Sequence, residues 1–143
     1  PMLAEQHLTC HADLPHRLEY DCDPDKMARV LDNLLRNACH YSTPGTQVDI
    51  TAREEENGIV LTFHNFGHTI PPEKLERLFE QFFRLDESRA SRTGGAGGGL
   101  AIARQIVELH GGTIQAESAD NQILFTLRLP LPQENRKISA EKP

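Results

Sequence analysis

The chain lacks any long apolar run and has few cysteines. No apolar stretch approaches the ~18 residues that a membrane-spanning helix requires, and the N-terminal residues do not follow the pattern of a signal peptide. The three cysteines, Cys10, Cys22 and Cys39, are odd in number and form no CxxC pair. These absences predict a soluble protein of a reducing compartment such as the cytoplasm.

Composition predicts one compact domain followed by a tail. The chain has 143 residues, of which 38% are hydrophobic and 25% are charged, so it can bury one core but has no room for a second domain. We place the domain at residues 1–131 and expect the polar residues 132–143 to form a disordered tail. The net charge of −6 argues against general nucleic-acid binding.

Alternating apolar residues predict strands joined by tight turns. The alternation occurs in two hairpins, at residues 48–63 around a turn at Asn57-Gly58 and at residues 114–129 around a turn at Asp120-Asn121. Dipeptides of this kind are strong turn signals because Gly, Asn and Asp tolerate positive φ. The sequence therefore predicts at least four strands, most of them antiparallel.

Shorter elements complete the predicted fold. Two further strands are expected at residues 8–12 and 17–20, and Pro71-Pro72 opens a short helix. The apolar positions of that helix are Leu75, Leu78, Phe79 and Phe82. The fold class is α/β, a two-layer sandwich with a mixed, mostly antiparallel sheet covered on one face by helices.

Five glycines stand directly before an apolar helical pattern. They occupy positions 94, 95 and 97 to 99, and Leu100-Ala101-Ile102-Ala103 follows them. Glycine permits close backbone approach, and the N-terminus of the following helix presents unpaired N–H groups to an anion. This layout is typical of a phosphate-binding loop, although a flexible loop without a ligand is the commoner use of such a run.

A helix expected over residues 24–42, with Asp23 as its N-cap, carries an unusual polar stripe. The stripe consists of Asn33, Asn37, His40 and Tyr41. A helix turns about 100° per residue, so these side chains lie within roughly a third of a turn of one another. Two explanations remain open. The stripe is either a solvated polar face or a site where carboxamide oxygens complete an octahedral Mg²⁺ beside a triphosphate and Tyr41 offers a flat face to a base.

Four segments resemble, in the same order, the motifs of sensor histidine kinases. They are residues 33–42 for the N box, 65–71 for the G1 box, 78–89 for the F box and 94–100 for the G2 box. The chain is therefore similar to the catalytic ATP-binding domain of a two-component sensor kinase of the GHKL superfamily, most of all to VanS-type vancomycin-resistance sensors. The resemblance spans about residues 23 to 130, and it implies the Bergerat-type ATP-binding fold.

The resemblance implies ATP and Mg²⁺ as ligands and gives residues their expected roles. Asn37 is the expected Mg²⁺ ligand, with Asn33 at the phosphates or the metal. The base is expected to be lined by Tyr41 and Ile70 and read by Asn65. The expected phosphate-binding residues are His40, Arg84, Arg89, Gly95, Gly97 and Gly99, followed by Leu100. Phosphoryl transfer is assigned to Asn33, Asn37, His40, Arg84 and Arg89, and residues 84–98 are expected to form a mobile lid.

The chain departs from the family pattern at three positions. Asn65 stands where the family usually has an Asp that accepts a hydrogen bond from the adenine amino group. A carboxamide oxygen still accepts that bond, so we expect ATP to bind more tightly than GTP. Thr69 replaces the second glycine of the G1 box, leaving Gly67 for close backbone approach, and Gly98 replaces a leucine of the G2 box. The last change is expected to add backbone freedom to the lid.

No segment resembles a phosphoacceptor histidine box. We therefore expect a fragment that begins after the dimerisation domain and transfers the γ-phosphoryl group of ATP to a histidine on that domain, for onward transfer to a response regulator. The implied location is the cytoplasmic portion of a membrane-anchored kinase, without direct membrane contact by this fragment. Two alternatives remain open: a GHKL-type serine kinase or ATPase, and a nucleotide-binding interaction module without turnover.

Overall fold

The computed structural model of the chain describes residues 7–81 and 99–131. The predicted lid at residues 84–98 and the predicted tail at residues 132–143 lie outside the described residues. Within the described ranges no helix is long and apolar enough to cross a membrane.

Five strands form one sheet. In chain order they are β1 (Thr9–Asp13), β2 (Gln47–Glu55), β3 (Gly58–Phe66), β4 (Thr113–Ala119) and β5 (Gln122–Pro130). Their order across the sheet is β1-β2-β3-β5-β4. Only the β1–β2 pair is parallel, and the other three pairs in the described sheet are antiparallel. The predicted mixed, mostly antiparallel sheet is thus confirmed, with β3 at its centre.

The two predicted hairpins are present, but only one has the predicted turn. Asp120 and Asn121 form the turn between β4 and β5, with φ of 51° and 58°, as a two-residue turn of the mirror-image type requires. The turn between β2 and β3 consists instead of Glu56-Asn57, one residue earlier than predicted. Gly58 has a different role, because a Cβ placed on it would lie 2.0 Å from the Leu129 carbonyl oxygen on β5.

The helices lie on one face of the sheet. Helix α1 (Pro24–His40) begins as predicted, with the Asp23 side chain accepting a hydrogen bond from the Lys26 N–H at 3.1 Å. The short helix α2 (Pro72–Leu75) continues into a 3₁₀ turn (Glu76–Phe79). Helix α3 (Gly99–Leu109) follows the glycine-rich run, as its apolar pattern predicted.

A single large core joins the helices to the sheet. Its most deeply buried members include Val30 and Leu34 from α1, Val107 from α3, and Phe125, Leu127 and Leu129 from β5. A second, smaller cluster joins β1 and β2 to the end of α1 through Leu8, Ala38, Cys39 and Val48. The two clusters hold α1 against the sheet.

The strand predicted at residues 17–20 is wrong. This segment has no regular secondary structure, although Leu18 and Tyr20 pack against the large core. The Tyr20 hydroxyl donates a hydrogen bond to the Pro130 carbonyl oxygen at the end of β5. Its alternating pattern therefore reflects half-buried side chains on a segment that packs against the core without joining the sheet.

Candidate functional site

The polar stripe of α1 contacts the start of α3. The Asn33 side-chain amide donates a hydrogen bond to the Gly99 carbonyl oxygen at 3.0 Å, so Asn33 leaves its carboxamide oxygen to face other groups. A Cβ placed on Gly99 would lie 3.5 Å from the Asn33 Cγ, an ordinary contact. The structure therefore brings the N box and the end of the G2 box together through one side chain.

Three further residues of the stripe lie at the C-terminal end of α1. Asn37 and His40 are half-buried, and Tyr41 is the C-cap residue, whose N–H donates to the Asn37 carbonyl oxygen at 3.1 Å. The rings of His40 and Tyr41 meet edge to face with centroids 4.6 Å apart. The four predicted residues thus lie along one side of α1, from Asn33, which contacts the start of α3, to Tyr41 at the C-terminal end of α1.

Asn65 lies at the end of β3 on the buried face of the sheet. Its strand partners are Val48 on β2 and Ile123 on β5, and its side chain is only 1% exposed. Within the described part of the chain, neither Oδ1 nor Nδ2 of this side chain has a hydrogen-bond partner. Leaving a buried polar group unpaired costs about 1–3 kcal/mol. Such a group is a candidate contact for a ligand or an ordered water.

Gly67 lies close to the backbone at the end of α1. A Cβ placed on Gly67 would lie 2.1 Å from the Tyr41 carbonyl oxygen, so no side chain fits there. The neighbouring Thr43 N–H donates to the Phe66 carbonyl oxygen at 2.7 Å. This crossing brings Asn65 close to the end of α1.

The loop that follows Gly67 is held by the turn between β4 and β5. The Gly67 N–H donates to the Asn121 carbonyl oxygen at 3.0 Å, and the Asn121 N–H donates to Thr69 Oγ1 at 2.8 Å. The Ile70 N–H donates to Ser118 Oγ at 2.9 Å. Sequence reasoning did not find Ser118 or Asn121 as site residues. Thr69 and Asn121 are 52 positions apart, and no local pattern connects them.

Removing the Thr69 hydroxyl should loosen this loop. We expect Thr69→Val, which keeps the shape but loses the acceptor for the Asn121 N–H, to weaken ATP binding about fivefold, since one hydrogen bond contributes about 1 kcal/mol. Thr69→Ser, which keeps the hydroxyl, should bind ATP like the unaltered chain. Calorimetric titration of both variants measures the difference. Equal affinities for Thr69→Val and Thr69→Ser would show that this hydrogen bond does not position the loop.

Two predicted site residues belong to the large core. Ile70 is 5% exposed and Leu100 is 6% exposed, and both pack within the main cluster of apolar side chains. Ile70 also lies on the loop held by Ser118, so its backbone position is fixed from two sides. Leu100, one residue into α3, anchors the start of that helix. Arg84, Arg89, Gly95 and Gly97 lie outside the described residues.

The described ranges contain one buried thiol beside the site. Cys39 precedes His40 on α1 and is 2% exposed, and burial, with a smaller contribution from Cys10, raises the pKa of its thiol. A thiol with a raised pKa stays protonated and is a poor nucleophile. Cys39 therefore acts as a small apolar residue of the core.

The sequence matches the family described as histidine kinase-, DNA gyrase B- and HSP90-like ATPases over residues 22–133. The sensor protein VanS of Enterococcus faecium is 49% identical over 116 residues, covering 81% of this chain and 30% of that protein. VanSC of Enterococcus gallinarum is 44% identical over 135 residues, covering 94% of this chain and 37% of that protein. The chain thus spans about a third of the length of these relatives.

Solved structures agree with this match. The catalytic domain of histidine kinase ThkA has a TM-score of 0.80 and 27% identity, covering 92% of this chain and 85% of that one. Histidine kinase ThkA in complex with the response regulator TrrA has a TM-score of 0.77 and 26% identity, covering 94% of this chain and 37% of that one. Together with the relatives, they confirm the predicted fold class and the predicted resemblance to VanS-type sensor kinases. Because the family match covers most of its residues, the chain belongs to the histidine kinase-, DNA gyrase B- and HSP90-like ATPases.

Proposed function

We propose that this chain is the ATP-binding catalytic domain of a sensor histidine kinase, and that it transfers the γ-phosphoryl group of ATP to a histidine on a separate dimerisation domain. The observation that carries the ATP site is the buried Asn65 carboxamide, which has no partner among the described residues. A purine base has donors and acceptors on its edge that match this amide. The likeness to sensor kinases along the chain supports histidine as the acceptor.

The charged part of ATP is proposed to lie along α1 towards the start of α3. The base end of the site is at Asn65, and the polar stripe leads from Tyr41 back to Asn33, whose amide contacts Gly99. The N-terminus of α3 carries a partial positive charge that favours phosphate. His40 is proposed as a further phosphate contact. We propose the same role for Arg84, Arg89, Gly95 and Gly97.

Mg²⁺ is the proposed metal. Carboxamide oxygens suit this hard cation, which keeps several waters and takes other ligands from substrate phosphates, so the donor set of Asn37 and Asn33 fits it. When bound, Mg²⁺ neutralises charge that develops on the transferred phosphoryl group. The residues themselves orient the nucleotide: Asn65 holds the base, and Asn33 ties α1 to the start of α3. Asn37 is proposed to bind Mg²⁺ at the phosphate end of the nucleotide.

Two of the histidines, His64 and His110, have local structural roles. His64 contacts Asp49 at 3.2 Å and Gln122 at 2.8 Å, and His110 contacts the Ile106 carbonyl oxygen at 2.8 Å. These contacts hold the two rings in place, which supports roles other than phosphoacceptor for His64 and His110. The likeness to ThkA, which was solved in complex with the response regulator TrrA, supports onward transfer to such a partner. We propose that the domain works on the cytoplasmic side of a membrane-anchored kinase.

Phosphoryl transfer in trans tests the proposal. The chain is incubated with Mg²⁺ and ³²P-labelled ATP, alone and with the dimerisation domain of its own kinase. We expect label only on the added domain, and we expect acid to release it, because phosphohistidine is acid-labile whereas phosphoserine is not. Acid-stable label would identify a serine kinase. Label on this chain alone, at a rate that the added domain does not change, would contradict the proposed division of roles.

A further inference from the structure

The Asn65 side chain is buried without a hydrogen bond that selects its orientation. Its Oδ1 and Nδ2 are both inaccessible to solvent and lack partners in residues 7–81 and 99–131. A carboxamide has nearly the same shape after a half-turn about its last side-chain bond, so only hydrogen bonds decide which way it points. Within the described structure, Asn65 can therefore present its acceptor and its donor in either order.

The neighbours of Asn65 explain why its orientation is open. Its strand partners Val48 and Ile123 are apolar and almost fully buried. A backbone donor of the following loop, the Gly67 N–H, is already bonded to the Asn121 carbonyl oxygen. The fold has thus placed the carboxamide among groups that do not constrain it.

We infer that Asn65 recognises 6-oxopurine nucleoside triphosphates as well as ATP. In one orientation, Oδ1 accepts from the 6-amino group of adenine and Nδ2 donates to adenine N1. In the reversed orientation, Nδ2 donates to the 6-oxo group of guanine or hypoxanthine and Oδ1 accepts from N1–H. Each base receives two hydrogen bonds from the same side chain.

This inference rests on the proposed function, and it revises the expectation that Asn65 prefers ATP to GTP. That expectation used only the carboxamide oxygen, as if Asn65 were a weaker aspartate. The structure adds that the amide nitrogen is equally buried and equally unpaired. A carboxylate offers acceptors alone and selects adenine, whereas the carboxamide offers one acceptor and one donor.

The backbone N–H groups of Gly67 and Ile70, on the loop after β3, do not contribute to the choice between purine bases. The N–H groups of Gly67 and Ile70 are both engaged, the first by Asn121 and the second by Ser118. These two donors therefore hold the loop in place. The Asn65 carboxamide can turn over to match the hydrogen-bonding groups of either base. These two loop donors therefore do not select against a 6-oxopurine.

Comparing nucleotides that differ at position 6 tests the inference. Dissociation constants for ATP, ITP and GTP are measured by calorimetry with Mg²⁺, on the unaltered chain and on Asn65→Asp. ITP carries the 6-oxo group without the 2-amino group of GTP. We expect ITP to bind the unaltered chain within about tenfold of ATP, because both bases form two bonds. Asn65→Asp should lower ITP affinity relative to ATP by about 10- to 100-fold, since the 6-oxo group then loses its donor.

Asn57→Asp is the matched control, because Asn57 lies in the exposed turn between β2 and β3 and receives the same change of charge. It should leave the ATP-to-ITP ratio unchanged. If Asn65→Asp fails to fold, which its circular dichroism would show, the ratio in the unaltered chain carries the test by itself. Binding of ITP supports the inference whether or not the 2-amino group of GTP is tolerated.

The inference and the proposed function fail in different ways. A chain that binds ATP but discriminates against ITP by more than about tenfold, which exceeds the discrimination expected from one lost hydrogen bond, overturns the inference and leaves the proposed function intact. A folded chain that binds neither nucleotide overturns the proposed function as well. An ATP-to-ITP ratio that Asn65→Asp does not change shows that another group reads the base, and this also overturns the inference.

Discussion

Replacing Gly67 with alanine should lower the free energy of unfolding by about 3 kcal/mol and abolish detectable ATP binding. The new Cβ would lie 2.1 Å from the Tyr41 carbonyl oxygen, far inside contact distance. The Tyr41 oxygen belongs to the backbone and the position of the Cβ is fixed by the backbone of residue 67, so relief requires the chain to move. That movement would break the hydrogen bond from the Gly67 N–H to Asn121 and the one from the Thr43 N–H to Phe66.

The effect on ATP follows from the same geometry. Asn65 is two residues before Gly67, and Tyr41 ends the polar stripe of α1, so a shift between them separates the base and phosphate ends of the site. Urea denaturation measures the stability and calorimetry measures the affinity. Gly99→Ala is the stability control: its Cβ would lie 3.5 Å from Asn33, and alanine favours a helix over glycine by up to about 1 kcal/mol. A Gly67→Ala variant as stable as Gly99→Ala would show that this crossing tolerates a side chain.

The Asn37→Asp variant should fold normally but transfer phosphate about 100-fold more slowly in the complete kinase. Asn and Asp have similar helix propensities, and Asn37 is half-buried on α1, so the fold has little reason to change. The new carboxylate alters the coordination of Mg²⁺ and repels the triphosphate. Initial rates of phosphorylation of the dimerisation domain at saturating ATP, together with the dissociation constant of MgATP, measure the effect.

Asn57→Asp also serves as the control for Asn37→Asp. It adds the same charge in the turn between β2 and β3, at the far end of β3 from Asn65, and should leave the transfer rate unchanged. If both variants slow transfer equally, net charge explains the loss. If Asn37→Asp transfers phosphate at the normal rate, Asn37 does not hold the metal.

Features with local causes were predictable from the sequence. The cap of α1 depends on Asp23 and an N–H three residues later, and the turn at Asp120-Asn121 depends on two residues that tolerate positive φ. Helix α3 begins where glycines give way to apolar residues at helical spacing. The polar stripe of α1 could likewise be read from helical spacing alone, since the positions of its residues around the helix follow from their numbers.

Features that depend on distant partners were not predictable. The alternation at residues 17–20 suits a strand, but a strand needs a hydrogen-bonding neighbour, and here Tyr20 bonds to Pro130 through its side chain instead. Asn57-Gly58 suits a turn, but the turn lies one residue earlier. Glycine is needed at position 58 because the Leu129 backbone on β5 leaves no space for a Cβ.

The family motifs, the residue types at the site and the order of most elements could be read from the sequence, because these follow from nearest neighbours and helical or strand periodicity. The strand expected at residues 17–20 is the exception. Tertiary packing set how the residues at the site meet. It placed Thr69 against Asn121, Asn33 against Gly99, and Asn65 in a buried position where no described group satisfies its amide. Hydrogen bonds between residues 50 or more positions apart depend on how the sheet and helices pack, and no local pattern in the chain encodes that packing.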